Sequence, residues 1–426
     1  MKRVVFVMFT VIASFKLMAQ DISYAKEVVK ALASPEFKGR GYVEDGNRIA
    51  AKYIQAQYVS IGLKPMAKEF FQPFKIEVNT FPGTMELQLD TTKLVAGKDF
   101  IIDPLSAGIK GEFSVYTIKR RDLLNESMVG KAVRYSEGKF LVIDERTTTT
   151  ESKEDKAKLD DIQSALMYSP QLSHAGTIII TDKKLDWSTA PQQAGKAVFT
   201  VNSAYDISTL LKVKVSADAS LINYKTQNIV GYVPGREQPD SFLVVLAHYD
   251  HLGKMGDKVY FPGANDNASG VAMLLNLAKY YKANPHRYSV VFIALGAEEI
   301  GIMGAKHFVD NPLFDLKRIK FLVNFDLAGT GEEGIKVVNG SVYRDKFDQL
   351  VKYNEANNYL NSVQIRGAAC NSDHCLFYQK GVPSFYIYTL GGIKAYHDIY
   401  DKWETLPLTE FEDYTKLMIE FYNGIN

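Results

Sequence analysis

The sequence predicts an α/β protein with a doubly wound, mainly parallel sheet that carries helices on both faces, together with an inserted, smaller β-rich domain. From residue 228 onward, nearly continuous apolar runs alternate with segments of helical periodicity. This alternation is typical of parallel strands covered by helices. Between about residues 93 and 222, short β-like runs alternate instead with polar, charged connectors. The chain is therefore expected to contain two different kinds of structure.

The regular elements of the second half follow from the apolar pattern. A continuous apolar run is expected of a strand buried on both faces, and apolar residues at helical spacing are expected of an amphipathic helix. These patterns predict buried strands at 242–247, 290–295, 321–325 and 384–388. They predict helices at 268–281 and 342–353.

The N-terminal part is predicted to contain two helices followed by two strands. The helices fall within residues 22–63, and the second one ends at Gly62, a residue type that favours helix ends. Two alternating stretches, 71–78 and 85–89, predict antiparallel strands joined by a turn at Pro82-Gly83.

The composition is that of a soluble globular protein. The chain has 426 residues, of which 46% are hydrophobic and 23% are charged, so it can bury a full core and form more than one domain. Its 50 basic and 49 acidic side chains give a formal net charge of +1. A nucleic-acid partner would normally require a basic surplus or patch, and none is expected here.

Residues 1–20 have the layout of a signal peptide. Lys2 and Arg3 precede an apolar run from residue 4 to residue 15, and a cleavage point follows Ala19. The run is shorter than the ~20 residues that a membrane span needs, and no later segment is apolar enough to span a bilayer. We therefore expect an exported protein, periplasmic or secreted, with no membrane span.

Titratable side chains follow the predicted strands of the second half. His248 and Asp250 come after the first strand, Glu298 and Glu299 after the second, and Asp326 after the third. In open α/β sheets, ligands bind beyond the carboxyl ends of the strands. The sequence therefore predicts that these side chains share one edge of the sheet.

Two further candidates are expected near the same edge. Asp266 lies between the first strand and its helix, and His397 follows the fourth strand. Imidazoles and carboxylates suit zinc, which takes such ligands at ~2.0–2.2 Å. Two ions ~3.5–4 Å apart, bridged by one carboxylate, activate water and polarise a carbonyl. Because neighbouring side chains at a strand end point in different directions, one residue of Glu298-Glu299 can bind metal while the other acts as a base.

Five strings of this half resemble, in order and spacing, the motifs of the M28 family of zinc exopeptidases: LVVLAHYDHLG, PGANDNASGVAMLLNLA, IALGAEEIGIMGAKHF, VNFDLAG and YHDIYDKWETL. The resemblance extends to the N-terminal stretch LASPEFKGRGYVEDGNRIAAKYIQAQYVSIGLKP and so covers most of the chain. Residues 93–222 more loosely resemble the protease-associated (PA) domain that is often inserted in this family. The resemblance implies that 21–92 and 223–426 form the peptidase domain around a PA-like insertion.

The resemblance implies a metal-binding role for five residues. Asp266 would bridge two zinc ions. His248 and Asp326 would complete one zinc site, and Glu299 and His397 would complete the other.

The resemblance also implies roles for neighbouring groups. Glu298 would be the general base that deprotonates the bridging water and later protonates the leaving amine. Asp250 would orient the imidazole of His248. The peptide bond between Asp266 and Asn267 would be cis.

One departure from the family pattern concerns the donor that stabilises the tetrahedral intermediate. Some members place a tyrosine shortly before a Ser-Asp-His motif, whereas here Ala369 and Cys370 precede residues 372–374. Tyr396, directly before His397, would supply the hydroxyl instead, as in some carboxypeptidase-like relatives. The alternative is that its ring packs under the loop and its hydroxyl faces solvent.

Other residues near the motifs are expected to play structural roles. Ser372 is expected to cap a helix, and His374 is not expected to be a ligand. His251 is expected to be a hydrogen-bonded loop histidine rather than a third ligand. Asp398 and Asp401 either support the ligands or form a solvated turn.

The two cysteines, Cys370 and Cys375, leave two possibilities open. They lie five residues apart, so an oxidising compartment would allow them to form a disulfide. Two reduced thiols beside a helix start fit the pattern equally. Metal binding by this pair is less favoured, because sites of this kind use oxygen and nitrogen ligands.

The sequence thus predicts a two-zinc metallo-exopeptidase acting on peptides, with aminopeptidase action favoured. Two alternatives keep the fold: a carboxypeptidase, and a glutaminyl-cyclase-like transferase with a single zinc. The PA-like segment and the GANDNASG loop favour the peptidase. A non-catalytic relative is disfavoured because the implied ligands and the base are all present.

Overall fold

The computed structural model describes residues 22–146, 151–202 and 204–425. The predicted signal peptide, 1–20, lies outside these residues. In the part of the chain that is described, no helix combines the length and the apolarity needed to cross a membrane.

The described residues form nine α-helices and nineteen β-strands. The helices are α1 (Ile22–Leu32), α2 (Gly46–Ile61), α3 (Glu126–Tyr135), α4 (Lys153–Tyr168), α5 (Gly270–Ala283), α6 (Met303–Asp310), α7 (Arg344–Asn357), α8 (His374–Gln379) and α9 (Phe411–Asn423). The strands are β1 (Lys64–Pro65), β2 (Phe71–Thr80), β3 (Met85–Leu89), β4 (Thr92–Leu94), β5 (Phe100–Ile102), β6 (Ile109–Lys119), β7 (Phe140–Asp144), β8 (Gly176–Thr181), β9 (Ala197–Asn202), β10 (Lys212–Ala217), β11 (Ser220–Val233), β12 (Gln238–His248), β13 (Gly253–Met255), β14 (Val259–Phe261), β15 (Tyr288–Leu295), β16 (Ile319–Phe325), β17 (Gly334–Val338), β18 (Val363–Ile365) and β19 (Ser384–Leu390).

The main sheet is mixed, with a parallel centre. Its strand order in the described residues is β1-β11-β15-β12-β16-β19-β17-β18, and β2 pairs with β11. The four central strands β15, β12, β16 and β19 run parallel to one another, as the buried apolar runs predict. The outer pairs β11–β15 and β17–β19 are antiparallel. The prediction of a mainly parallel sheet therefore describes only its centre, because β17 returns after the short 326–333 loop without a crossover helix.

Helices pack against both faces of this sheet. Leu243 and Val245 of β12 lie in one core cluster with the apolar residues of α5 and α9. Val244 and Leu246, which point to the opposite face, lie in another cluster with residues of α6 and α8. This alternation follows from the period of two in a strand, and it leaves β12 buried on both sides.

The stretches 71–78 and 85–89 do not form the predicted hairpin. β2 pairs with β11 over ten residues of the main sheet, whereas β3 pairs with β4 and β10 of a second sheet. The predicted hairpin is wrong because Pro82-Gly83 connects two sheets rather than two neighbouring strands. Alternation alone does not identify a strand's partner.

A second sheet contains the strands from β3 to β10, in the order β4-β3-β10-β6-β7-β8-β9-β5. It begins at Met85 and ends at Ala217, so the predicted boundary at residue 93 falls inside β4. The strands from β6 to β9 are parallel, and residues of α3 and α4 pack on them. The segment is therefore less purely β than its sequence pattern indicates, since the charged connectors include two amphipathic helices.

Candidate metal centre

The five predicted metal ligands lie together beyond the carboxyl ends of the central strands. His248 is the last residue of β12, and Asp326 directly follows β16. Asp266 lies in the irregular turn before α5. Glu299 lies in the loop after β15, and His397 lies in the loop after β19. The sheet therefore positions two of the ligands directly, and loops position the other three.

Asp266 stands between two imidazoles. Its Oδ1 lies 3.4 Å from Nε2 of His248, and its Oδ2 lies 3.0 Å from Nε2 of His397. Nε2 of His248 is also 3.4 Å from Oδ1 of Asp326, and Nε2 of His397 is 3.3 Å from Oε2 of Glu299. The carboxylate of Asp266 is thus shared by a strand half-site, His248 with Asp326, and a loop half-site, Glu299 with His397.

The charged side chains of the centre shift one another's pKa values. Burial alone would raise the pKa of Asp266, but the imidazoles of His251, His397 and His248 hold it below its ordinary value. Although burial opposes it, the carboxylates of the group raise the pKa of His397 to about 9. The charge of Asp326, again against burial, raises the pKa of His248 well above its ordinary value.

The centre holds more buried carboxylates than its own side chains can compensate. Burial raises the pKa of Asp250 and of Asp401 to about 6, and that of Asp373 to about 8. A buried carboxylate is costly unless it is paired or coordinates a metal. With the three imidazoles of His248, His251 and His397 among the carboxylates, the donor set fits divalent cations that take nitrogen and oxygen ligands, such as zinc.

Asp250 fixes the glutamate pair through its carboxylate and His248 through its main chain. The carboxylate accepts the backbone N–H groups of Glu298 at 3.0 Å and Glu299 at 3.2 Å. Nδ1 of His248 lies 3.2 Å from the Asp250 carbonyl oxygen but 3.8 Å from the nearer carboxylate oxygen. The imidazole is therefore oriented by Asp250, as the family resemblance implies, and the contact is made by the main-chain carbonyl rather than by the carboxylate.

Asp401 fixes the turn that carries Asp266. Its carboxylate accepts the backbone N–H groups of Asn265 at 2.8 Å and Asp266 at 3.0 Å. Its main-chain carbonyl accepts the N–H of Ala264 at 3.1 Å. Of the two alternatives left open for Asp401, the structure supports a role behind the ligands rather than a solvated turn.

The peptide bond between Asp266 and Asn267 is cis, as the family resemblance implies. The Asn267 side chain donates to the carbonyl of Phe325 at 2.9 Å and accepts the N–H of Gly270 at 2.9 Å. These bonds connect the turn both to the end of β16 and to the start of α5.

Sequence reasoning does not single out Arg40, whose guanidinium is fully buried beside the centre. It donates to main-chain carbonyls at 2.7–3.0 Å, those of Leu32, Tyr249, Pro262, Gly263 and Asp266. Burial lowers its pKa to about 10, so it stays charged at neutral pH. The sequence feature that could have indicated a buried Arg40 is the glycine on each side of it. A Cβ on Gly39 or Gly41 would collide with the backbone of Gly253.

Ser372 supports a ligand instead of capping a helix. Its hydroxyl donates to Oδ2 of Asp326 at 3.1 Å and accepts from Nδ2 of Asn324 at 2.8 Å. Helix α8 begins at His374 with no side-chain cap. The predicted N-cap is wrong because polar groups at the end of β16 engage this hydroxyl.

The residues around Ser372 include a histidine and a disulfide. Nε2 of His374 lies 3.0 Å from the carbonyl oxygen of Ala369, in agreement with the expectation that His374 is not a ligand. Cys370 and Cys375 form a disulfide, which decides between the two possibilities left open by their spacing.

His251 lies inside the group, closer to the ligands than the sequence indicates. It is fully buried, and its Nδ1 lies 2.6 Å from Oε1 of Glu299 and 3.9 Å from Oδ1 of Asp266. Its Nε2 meets no hydrogen-bond partner among the described residues. His251, Asp266 and Glu299 form a second cluster of potential metal ligands beside that of His248, Asp266 and Asp326. The sequence signal was its place at the same strand end, three residues after His248.

Two tyrosines lie close to the carboxylates. Tyr396 is 44% exposed, and its ring stacks on the imidazole of His397 with centroids 4.0 Å apart. Partial burial, then the charges of Asp266 and Glu299, raise the pKa of Tyr396. Burial also raises the pKa of Tyr386 on β19 well above its ordinary value. Tyr386 went unnoticed in the sequence because it occupies a buried strand position.

The amino-acid sequence of this chain is similar to that of known proteins. The family model described as Peptidase family M28 matches residues 228–422. Aminopeptidase YwaD of Bacillus subtilis (strain 168) is 28% identical over 303 residues, which are 68% of this chain and 60% of that protein. This chain thus matches less than two thirds of the length of this curated relative.

Solved structures share the fold over nearly the whole chain. BSAP, a zinc aminopeptidase from Bacillus subtilis, superposes with a TM-score of 0.68 at 18% identity and covers 94% of each chain. A Peptidase M28 precursor from Shewanella amazonensis SB2B superposes with a TM-score of 0.69 at 16% identity, over 95% of this chain and 93% of that one. At these identities the likeness concerns the fold alone, and the sequence match carries the assignment. Residues 228–422 of this chain form a domain of peptidase family M28.

Proposed function

We propose that this chain is a zinc-dependent exopeptidase that removes N-terminal residues from peptides. One observation carries the proposal: the carboxylate of Asp266 faces His248 at 3.4 Å with one oxygen and His397 at 3.0 Å with the other. A single carboxylate can therefore serve two metal ions. The aminopeptidase direction is supported by the relatives, since both Aminopeptidase YwaD and the zinc aminopeptidase BSAP carry this activity in their names.

Two zinc ions per chain are proposed, one in each half-site. His248 and Asp326 would hold the first, Glu299 and His397 would hold the second, and Asp266 would be shared. When bound, zinc supplies the Lewis acidity that activates water and polarises the scissile carbonyl.

Glu298 is proposed as the general base. Its backbone N–H donates to the Asp250 carboxylate at 3.0 Å, and the neighbouring Glu299 belongs to the loop half-site. Burial raises the pKa of Glu298 well above its ordinary value, and the charge of His248 partly opposes this. A carboxylate so tuned can take a proton from the attacking water and return it to the leaving amine.

Tyr396 is proposed as the donor to the carbonyl oxygen of the substrate. Its ring is fixed on His397 while part of its surface stays open to solvent. A neutral hydroxyl can donate to the charge that develops on that oxygen in the transition state.

We also infer that the protein is exported, to the periplasm or to the medium. The signal-like residues 1–20 and the Cys370–Cys375 disulfide both support this, since disulfides persist in oxidising compartments. Within the mature chain, residues 93–222 are proposed to be a PA-like insertion between 21–92 and 223–426.

The direction of cleavage is tested with a matched pair of peptides. One has a free N-terminus and an amidated C-terminus, and the other has an acetylated N-terminus and a free C-terminus. We expect zinc-dependent release of the first residue from the former, loss of activity on chelation, and no cleavage of the latter. Cleavage of only the acetylated peptide would identify a carboxypeptidase. Cyclisation of an N-terminal glutamine without hydrolysis, with one zinc per chain, would identify the glutaminyl-cyclase-like alternative.

A further inference from the structure

The loop half-site is contacted from outside the main sheet. The 182–196 loop connects β8 and β9 of the second sheet, and it reaches the main-chain atoms of the residues that carry the second metal ion. Glu299 and His397 receive no comparable support from a strand of their own.

Three hydrogen bonds join this loop to the loop half-site. The Thr189 hydroxyl donates to the carbonyl oxygen of Glu299 at 2.6 Å. The backbone N–H of Trp187 donates to the carbonyl oxygen of His397 at 2.9 Å. Nζ of Lys184 donates to the carbonyl oxygen of Tyr396 at 2.5 Å. Both ligands of the half-site are therefore held at their own main chain.

Lys184 also joins the loop to the turn that follows His397. Its Nζ lies 2.9 Å from a carboxylate oxygen of Asp398, whose other oxygen accepts the N–H of Tyr400 at 2.8 Å. Asp398 is buried, so this ion pair is shielded on one side from solvent. Of the two alternatives left open for Asp398, these contacts favour the supporting role.

The loop itself is firmly anchored. The Trp187 side chain is 3% exposed, and its ring stacks on Phe261 with centroids 4.6 Å apart. Its indole N–H donates to the carbonyl oxygen of Ile102 at 2.8 Å. The carbonyl of Ala190 accepts the N–H of Asn79 at 2.8 Å. An element with these contacts can impose a position on its neighbours.

The conformation of His397 shows why such support is needed. Its φ is 52°, in the left-handed region that residues other than glycine occupy only where the surrounding structure determines it. Trp187 bonds to the carbonyl of this same residue. His248, in contrast, takes its conformation from the strand β12 that it ends.

We propose that Lys184 and Thr189 of the 182–196 loop are positioning residues of the loop half-site, and that they set its affinity for the second metal ion. The inference rests on the proposed two-metal function. It gives the second sheet a part in assembling the metal centre, since without this loop Glu299 and His397 lose contacts that fix their main chain. The strand half-site has no such contact with the loop among the described residues.

The test measures the two zinc-binding steps separately. Chelator-treated protein is titrated with Zn²⁺ by isothermal titration calorimetry, as wild type, Thr189→Val and Lys184→Met. Asp326→Asn and His397→Asn assign each step to a half-site, because each removes a ligand from one of them. We expect the Kd of the second ion to rise about 10- to 100-fold in both loop variants, as for lost contacts behind a metal ligand. The Kd of the first ion should stay unchanged.

Two matched variants serve as controls. Thr189→Ser retains the hydroxyl, and Lys183→Met changes an exposed lysine of the same loop whose contact is with Glu145. Both should bind two ions as the wild type does. Peptide hydrolysis by Thr189→Val should fall at limiting zinc and recover as free zinc is raised, which loss of a catalytic group would not do.

The outcomes separate this inference from the function on which it rests. If the wild type binds two ions and neither loop variant weakens the second step, only the inference is overturned. Equal weakening of both steps would also overturn it, because that result indicates a general loss of structure. A wild type that binds a single ion would overturn the two-metal proposal and the inference together.

Discussion

The two half-sites of the metal centre are built in different ways. His248 ends β12 and Asp326 follows β16, and these two strands are parallel neighbours in the middle of the sheet. Glu299 and His397 lie in loops, and His397 has a left-handed backbone conformation. Strand pairing brings the first pair together, whereas the second pair depends on contacts made by distant segments.

The segments that support the loop half-site come from several parts of the chain. The Asp250 carboxylate accepts the backbone N–H of Glu299 at 3.2 Å. Thr189, which lies outside the main sheet, donates its hydroxyl to the carbonyl oxygen of the same residue at 2.6 Å. Asp401 holds Asp266, which both half-sites share. A metal centre of this kind can thus be held on one side by strand pairing and on the other by side-chain bonds to the main chain.

Asp266→Asn should have the largest effect, because Asp266 belongs to both half-sites. The amide keeps the size of the side chain but removes the charge that faces His248 and His397. We expect zinc content to fall from two ions to below one, and kcat/KM to fall by about 10³-fold or more, since the metal supplies the main catalytic effect. Metal analysis and peptide hydrolysis measure both. A variant that keeps one ion at wild-type affinity would show that Asp266 is not shared.

Tyr396→Phe should lower kcat by ~10²–10³-fold, the effect of one lost donor to the developing oxyanion. KM and zinc content should change little, because the phenylalanine ring can still stack on His397. Tyr386→Phe is the matched control, since Tyr386 is buried on β19. A large fall of kcat in the control, with none in Tyr396→Phe, would assign the donor to the strand side of the centre.

Glu298→Gln should lower kcat by ~100-fold or more, the scale of lost general base catalysis. Zinc content should stay at two, because Glu298 lies beside the ligands without being one of them. Glu299→Gln is the control and should instead lose zinc from the loop half-site. Retained activity in Glu298→Gln would move the base to another residue.

The strand half-site could be predicted from the sequence because its cause is local. The apolar runs before His248 and Asp326 are long enough to be recognised as buried strands, and parallel strands end at the same edge of a sheet. The alternation of β2 and β3 also predicts strands, but it does not show that β2 pairs with β11 while β3 pairs with β4 and β10. The alternation of apolar and polar residues identifies a strand, but only the tertiary structure identifies the strand that pairs with it.

The contacts that support the loop half-site could not be predicted in the same way. Lys184 and the Tyr396 carbonyl that it contacts are 212 residues apart, and Lys184 stands in a stretch that resembles a charged connector. Arg40 bonds only to main-chain carbonyls in the contacts described, so no acidic partner in the sequence signals its burial. The sequence motifs predict the metal ligands. Every residue has a main-chain carbonyl, however, so the sequence does not show which carbonyls accept these hydrogen bonds.

The smallest expected effect belongs to Ser372→Ala, which tests the strand half-site as Thr189→Val tests the loop half-site. Each substitution removes one hydroxyl that bonds to a ligand residue, in this case to Asp326 at 3.1 Å. Because Asp326 directly follows β16, its main chain is already fixed by strand pairing. We expect the Kd of the first zinc ion to rise less than about tenfold, below the range expected for lost contacts behind a ligand.

Stability should change more clearly than metal affinity in this variant. Nδ2 of Asn324 loses the acceptor that it now has at 2.8 Å, so the free energy of unfolding of the zinc-free protein should fall by about 1 kcal/mol in urea titrations. Calorimetric titration with Zn²⁺ gives the affinity for comparison with Thr189→Val. If Ser372→Ala weakens the first ion as much as Thr189→Val weakens the second, strand pairing does not make the strand half-site independent of its side-chain contacts. The two half-sites would then share one kind of support, and the difference between them would lie only in which segments provide it.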